Sequence, residues 1–157
     1  MSSFKYISSE LFCEDVNLEQ IANDYGTPSY VYSKKAVEEN AKSYVNSFDN
    51  PKNLACFAVK SLSNISILKI IKDMGCGFDI VSGGELHRVM SIGADPKKII
   101  FSGVGKTRKE IEQGIKNNIL SFNVESTSEL YNIERIAMDM NTSAPVSIRI
   151  NPEIDSG

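Results

Sequence analysis

Histidine occurs once in the 157 residues, at position 87, so a metal centre built on imidazoles is not expected. Cysteine is nearly as scarce. Cys13, Cys56 and Cys76 are odd in number, widely spaced and without a Cys-x-x-Cys pair, and they read as buried reduced thiols of a cytoplasmic protein. No segment approaches the ~20 consecutive apolar residues of a membrane span. The N-terminus, Met1-Ser-Ser-Phe-Lys-Tyr6, lacks the charged-then-apolar pattern of a signal peptide. Charge of one sign is also missing: 17 Lys and Arg against 20 Asp and Glu leave a net charge of -3. The basic residues are scattered, so neither nucleic acid nor an anionic membrane is expected as a partner. The densest basic run, Lys106-Thr-Arg-Lys109, reads as a solvated helix start.

What is present suits a soluble globular protein, with 41% hydrophobic and 24% charged residues. Residues 1–27 differ from the rest. Leu11 to Val16 is a short extended candidate, and Asn17 can cap a helix with the apolar face Leu18, Ile21, Ala22 and Tyr25. Gly26 stops that helix and Pro28 forbids its continuation. Ser29-Tyr-Val-Tyr32 has strand composition, and Ser33 caps a helix striped by Val37, Ala41, Tyr44, Val45 and Phe48.

From residue 54 a rhythm sets in. Apolar strand candidates begin near Leu54, Gly77, Lys98, Ile119 and Val146, and a helical pattern follows each of the first four. One stripe is Ile67, Leu68, Ile71 and Met74, and another is Leu86, Val89 and Met90; Thr107-Arg-Lys-Glu110 and Ser126-Thr-Ser-Glu129 are capping boxes. The strands are near-continuous apolar runs, as when helices cover a parallel sheet. A strand–helix repeat implies right-handed βαβ units and an α/β fold, either an open doubly wound sheet or a closed (β/α)8 barrel. The chain ends at Asn151-Pro-Glu-Ile-Asp-Ser-Gly157, after a fifth strand with no helix behind it, and reads as truncated there. Phe57, Ile80, Ile100 and Phe122 are expected on the inner wall of a barrel, and Phe78, Phe101 and Phe122 in the core.

Lys60 follows the buried strand Leu54-Ala-Cys-Phe-Ala-Val59 and so falls at its C-terminal end, where catalytic groups gather in both architectures. Apolar walls there would lower an amine pKa and make a nucleophile, although a lysine that merely snorkels to the rim fits the same position. Asp79, in Gly77-Phe-Asp-Ile-Val81, is a carboxylate in an apolar strand that needs a partner or a use. Glu85, after Ser82-Gly-Gly84, reads first as a first-turn acid favoured by the helix dipole. Arg149, in Val146-Ser-Ile-Arg-Ile150, needs an acidic partner, which Asp79 or Glu85 could be. Gly103-Val-Gly-Lys-Thr107 is not a P-loop, because Ile100 stands where that pattern needs glycine. His87, beside Arg88, reads as a surface residue.

Several of these stretches resemble one family. Phe57-Ala-Val-Lys60-Ser-Leu-Ser-Asn64 resembles the Tyr-Ala-Val-Lys-Ala-Asn segment of diaminopimelate decarboxylases and, more loosely, of ornithine and arginine decarboxylases. Gly77-Phe-Asp-Ile-Val-Ser-Gly-Gly-Glu-Leu86 is similar to their Gly-Phe-Asp-Val-Val-Ser-Gly-Gly-Glu-Leu. Ile100-Phe-Ser-Gly-Val-Gly-Lys-Thr107, Phe122-Asn-Val-Glu-Ser126 and Arg149-Ile-Asn-Pro152 are similar to later blocks, and Tyr25-Gly-Thr-Pro28 with Tyr30-Val-Tyr32 to the entry motif. The resemblance runs from about residue 10 to the end, with the blocks in order.

It implies a fold-type III enzyme dependent on pyridoxal 5'-phosphate. The fold expected is the N-terminal part of an alanine-racemase-like (β/α)8 barrel over residues 28–157, with residues 1–27 belonging to a β-domain. Lys60 falls on the lysine that carries the cofactor, and Asp79, Glu85 and Arg149 on positions lining or bracing its pocket. The activity implied is decarboxylation of meso-2,6-diaminopimelate to L-lysine by a homodimeric enzyme. Decarboxylation of another basic amino acid, or a non-catalytic pyridoxal-phosphate barrel, are the alternatives. Ser61 and Leu62 depart from the family's segment with little expected effect. The family's ring-stacking histidine, glycine-rich phosphate cradle, acid facing the pyridine nitrogen and substrate-binding arginines fall beyond Gly157, so residues 1–157 alone are expected to be inactive.

Overall fold

The computed structural model describes residues 3–47 and 53–152. Phe48 and the tail Glu153–Gly157 lie outside the described residues. The chain opens with β1 (Phe4–Ile7), β2 (Glu10–Cys13) and β3 (Val16–Asn17), an antiparallel sheet in the order β1-β2-β3. The single extended candidate over Leu11–Val16 is therefore two strands, split by a turn at Glu14, whose φ is +55°. Asn17 caps α1 (Leu18–Tyr25) by accepting from the Glu19 and Gln20 amides, and Gly26 ends it at φ +82°. Ser29–Tyr32 is not a strand. Its aromatic and β-branched content suits a pleated surface, but among the described residues no strand pairs with it, and Tyr30 is 90% exposed.

Glu14 ties the small sheet to the second helix, α2 (Lys34–Val45). Its Oε1 accepts from Ser33 Oγ at 2.7 Å and from the Lys35 amide at 2.9 Å, at the start of that helix. The Ser33 hydrogen bond, ahead of the Lys35 amide, holds the Glu14 carboxyl below its ordinary range.

The main sheet comprises β4 (Cys56–Ala58), β5 (Gly77–Ile80), β6 (Ile99–Phe101), β7 (Ser121–Val124) and β8 (Val146–Ile148). All pairings are parallel and the spatial order is the chain order. Helices α3 (Ile65–Asp73), α4 (Gly83–Ser91), α5 (Arg108–Lys116) and α6 (Thr127–Asp139) form the successive crossovers. A doubly wound sheet reverses its strand order at a switch point; this one does not, which is the winding of a (β/α)8 barrel. Right-handed crossovers in one direction place all four helices on one face.

Alternation along the strands separates two surfaces. Phe78, Ile80, Ile99, Phe101, Phe122 and Val124 are buried in one cluster with Leu68, Ile71, Leu86, Val89, Ile111, Ile133 and Ile136 of the helices. The other face carries Ala58, Asp79, Ile100, Ser121, Asn123 and Ser147, related by register and by alternation. The expected inner wall therefore needs correcting. Of Phe57, Ile80, Ile100 and Phe122, only Ile100 points inward; Phe57 pairs with Phe78 and shares its helix-side face. The aromatic core of Phe78, Phe101 and Phe122 stands as expected.

Candidate functional site

The site is built at the C-terminal ends of β4 to β8. β4 is shorter than its apolar run and passes into a 3-10 turn over Val59–Ser61, so Lys60 sits on a turn rather than in the strand. Ser61 Oγ donating to Ala58 O at 2.7 Å and the Leu62 amide donating to Val59 O at 3.1 Å hold that turn. Val59 is buried while Lys60 is exposed, and the Lys60 amine meets no hydrogen-bond or ion-pair partner among the described residues.

Asp79 stands inward on β5, paired in register with Ala58 of β4 and Ile100 of β6. Its Oδ1 is buried without a hydrogen-bond partner. A buried acceptor left unsatisfied costs about 1–3 kcal/mol, so the folded chain holds an acid in want of a donor beside the turn that bears Lys60. Burial, and then the Asp79 carboxylate and Cys76, push the Cys56 thiol up to about 11. Cys13 and Cys76 are raised as well, burial being the first cause, and all three cysteines are free. Cys13 and Cys76 are buried, as their scarcity and spacing imply, whereas Cys56 is half-buried.

The remaining expected residues are placed less directly. Glu85 is half-buried at the first turn of α4, where its Oε2 accepts from the Val81 amide at 2.7 Å and its own amide donates to Ser82 Oγ at 3.2 Å. It fastens the β5–α4 loop. Arg149 lies just past β8, is 62% exposed, and pairs through Nη1 with Glu125 Oε1 at 3.5 Å. The expected pairing with Asp79 or Glu85 does not form, because β6 and β7 stand between β5 and β8. His87 is exposed on α4, as a surface histidine should be.

Lys106 reverses its sequence reading. Thr107, Arg108 and Lys109 are exposed at the start of α5, but the Lys106 side chain is 1% exposed. Its Nζ donates to Gly103 O at 2.6 Å, Asn123 O at 2.8 Å and Glu129 Oε1 at 2.7 Å, and it lies over the Phe101 ring. Three donors meet three acceptors, so the ammonium is fully satisfied. Glu129 also accepts from the Glu125 amide through Oε2 at 2.8 Å. Of the two expected capping boxes only Thr107–Glu110 closes in both directions; Ser126 caps α6, but the Glu129 carboxylate is taken by Lys106 and the Glu125 amide instead of the Ser126 amide.

Acids at the third position of successive helices thus stitch the rim together. Glu110 caps α5 at Thr107 and also accepts from the Gly83 amide at 2.8 Å, reaching back to the start of α4. Glu129 reaches back in the same way to Lys106 in the β6–α5 loop. The loops that frame the site are held to one another as well as to their own helices.

The strand order is that of an α/β barrel, with an unpartnered lysine just past the first barrel strand and an unpaired inward acid on the next. Residues 34–157 match the family described as pyridoxal-dependent decarboxylase, pyridoxal binding domain, and the chain belongs to that family. It is 47% identical over 156 residues to a diaminopimelate decarboxylase of Haemophilus influenzae and 45% identical over 156 residues to that of Pseudomonas aeruginosa, covering 99% of this chain in each case. The crystal structure of diaminopimelate decarboxylase from M. jannaschii in co-complex with L-lysine superposes with a TM-score of 0.89 at 32% identity, covering 97% of this chain and 36% of that one. The chain spans 38% of the length of the two curated relatives.

Proposed function

We propose that the complete enzyme containing this chain decarboxylates meso-2,6-diaminopimelate to L-lysine with pyridoxal 5'-phosphate held on Lys60. The observation that carries the reading is an unpartnered Lys60 amine on the turn after β4 together with an unsatisfied, buried Asp79 oxygen on the adjacent strand β5. A bound group offering an electrophile to the amine and a donor to the acid satisfies both. The identity of 45–47% across 99% of the chain to diaminopimelate decarboxylases supports this substrate over other basic amino acids.

When bound, pyridoxal phosphate supplies an electron sink for the pair left behind as CO2 departs. The chain's own part is to place the groups around it. The 3-10 turn presents the Lys60 amine at the rim. Asp79 sets a negative charge on the inner wall, Glu85 fixes the β5–α4 loop through the Val81 amide, and Arg149 braces the far side through Glu125. Residues 28–157 are read as the barrel part, and residues 1–27, whose described part holds the β1–β3 sheet and α1, as belonging with a β-domain. A homodimer in the cytoplasm completes the reading; the family resemblance supports the dimer, and three free cysteines suit a reducing compartment.

The test is borohydride reduction of the complete enzyme loaded with pyridoxal phosphate, followed by peptide mapping. The pyridoxyl label is expected on the peptide containing Lys60. A label on Lys69 or Lys106 instead would overturn the assignment, and CO2 release from ornithine or arginine but not diaminopimelate would overturn the substrate.

A further inference from the structure

Ser102 and Asn123 are not among the residues expected to hold the cofactor, yet they stand at the same C-terminal end of the sheet as the turn that bears Lys60. Ala58 pairs with Asp79, Asp79 with Ile100, and Ile100 with Ser121. Asn123, two residues beyond Ser121 on β7, pairs with Ser147, and Ser102, just past β6, continues the ladder by donating its amide to Ile80 O at 2.7 Å. The four crossover helices lie on the opposite face of the sheet from these strand residues.

The two side chains form a unit. Asn123 Nδ2 donates to Ser102 Oγ at 2.9 Å. That bond leaves the Ser102 hydroxyl proton free to donate and the Asn123 amide oxygen free to accept. Both residues are half-buried, so the unused functions face a partly desolvated space. Their backbone is fixed from below: the Ser102 amide donates to Ile80 O at 2.7 Å, and Lys106 Nζ grips Gly103 O and Asn123 O. A pre-oriented donor and acceptor held on a locked backbone is a binding element.

We infer that Ser102 and Asn123 form a further cofactor-binding pair that hydrogen-bonds the phenolic oxygen of the pyridine ring. This rests on the assignment of Lys60 above. The ring carbon bearing the aldehyde that a lysine captures is flanked by the phenolic oxygen on one side and by the phosphate-bearing arm on the other. A phosphate is met by clustered backbone amides or cationic side chains. Lys106, the cation beneath the pair, already uses all three donors within the protein. A neutral hydroxyl donor beside an amide therefore matches the phenolic oxygen rather than the phosphate.

The complete enzyme tests this by equilibrium dialysis of pyridoxal phosphate and by the absorption spectrum of the bound cofactor, whose near-visible and near-ultraviolet bands report the protonation of that oxygen. Ser102→Ala should weaken cofactor affinity about three- to tenfold, the loss of one hydrogen bond, and redistribute the two bands. Ser102→Thr, which keeps the hydroxyl, should retain the native affinity and spectrum. Asn123→Ala should act in the same direction and add little to Ser102→Ala, because the two act as one unit. Ser102→Ala with native affinity and spectrum would overturn the pair while leaving the Lys60 assignment intact. An unsubstituted enzyme that takes up no pyridoxal phosphate would overturn both.

Discussion

Lys106 holds a full charge out of water, and the Glu129 side chain that neutralises it is 10% exposed. Such a pair gains little over an apolar replacement, because desolvation offsets most of the Coulomb attraction, but losing one partner strands the other. Lys106→Met in the complete enzyme is therefore expected to destabilise by about 3–5 kcal/mol, read by denaturant unfolding. Lys106→Met combined with Glu129→Leu should recover part of that loss; additive losses would show that the two charges act independently. Lys60 is the opposite case. It is exposed and unpartnered, so its substitution should leave stability nearly unchanged, as expected of a residue kept for a ligand. The residue names alone do not separate these two lysines. Both follow an apolar strand, and only the acid brought over from α6 distinguishes the buried one.

At the scale of elements, helix starts were the most legible feature of the sequence. Asn17, Ser33, Thr107 and Ser126 cap helices through the side-chain oxygen as expected, and Asn64 and Ser82, which were not singled out from the sequence, do the same. Capping is local chemistry, a side chain meeting amides two or three residues on, so it can be read without the fold. Ser29–Tyr32 could not be read in that way, because a strand exists only where another strand supplies the ladder. Packing between elements tightens the barrel wall at Gly114 of α5. A Cβ built there would stand 2.5 Å from Cζ of the Phe122 ring. Gly114→Ala, ordinarily favourable within a helix, should instead destabilise by about 1–3 kcal/mol, because the buried ring cannot retreat from the sheet. A thermal midpoint equal to or above the native one would refute that steric account.

On the scale of the whole molecule, the five strands leave two borders. Among the described residues, nothing pairs with the outer edge of β4 or of β8. Beside β4 an apolar groove of about 540 Å3 is lined by Val37, Ala41, Phe57, Leu62, Ile67 and Ile71, among others. Unpaired backbone along an apolar border is an invitation to strand addition by another chain. Residues 1–157 produced alone are therefore expected to associate and to release no CO2 from diaminopimelate. A sizing run beside a CO2 assay checks both, and a compact monomer that turns over substrate would refute the placement of the site.

Within these residues, some properties are determined by the sequence itself. Periodicity set the strand–helix repeat, caps and glycines set the helix boundaries, and the apolar run before Lys60 put that amine at a strand end, because each depends on residues close in the chain. No helix among the described residues is long and apolar enough to cross a membrane, which the absence of long apolar runs already implied. Other properties were decided only by tertiary structure. Periodicity left barrel and doubly wound sheet open, the family resemblance favoured the barrel, and the strand order bears it out; the inward face of Asp79 required the register, and that of Ser102 and Asn123 the bond between them. Arg149 found Glu125 rather than Asp79, and Lys106 found Glu129. The physical reason is common to all four: a charge or a strand edge is satisfied by whatever group lies nearest in space, and between residues tens of positions apart that neighbour is set by the packing of the sheet.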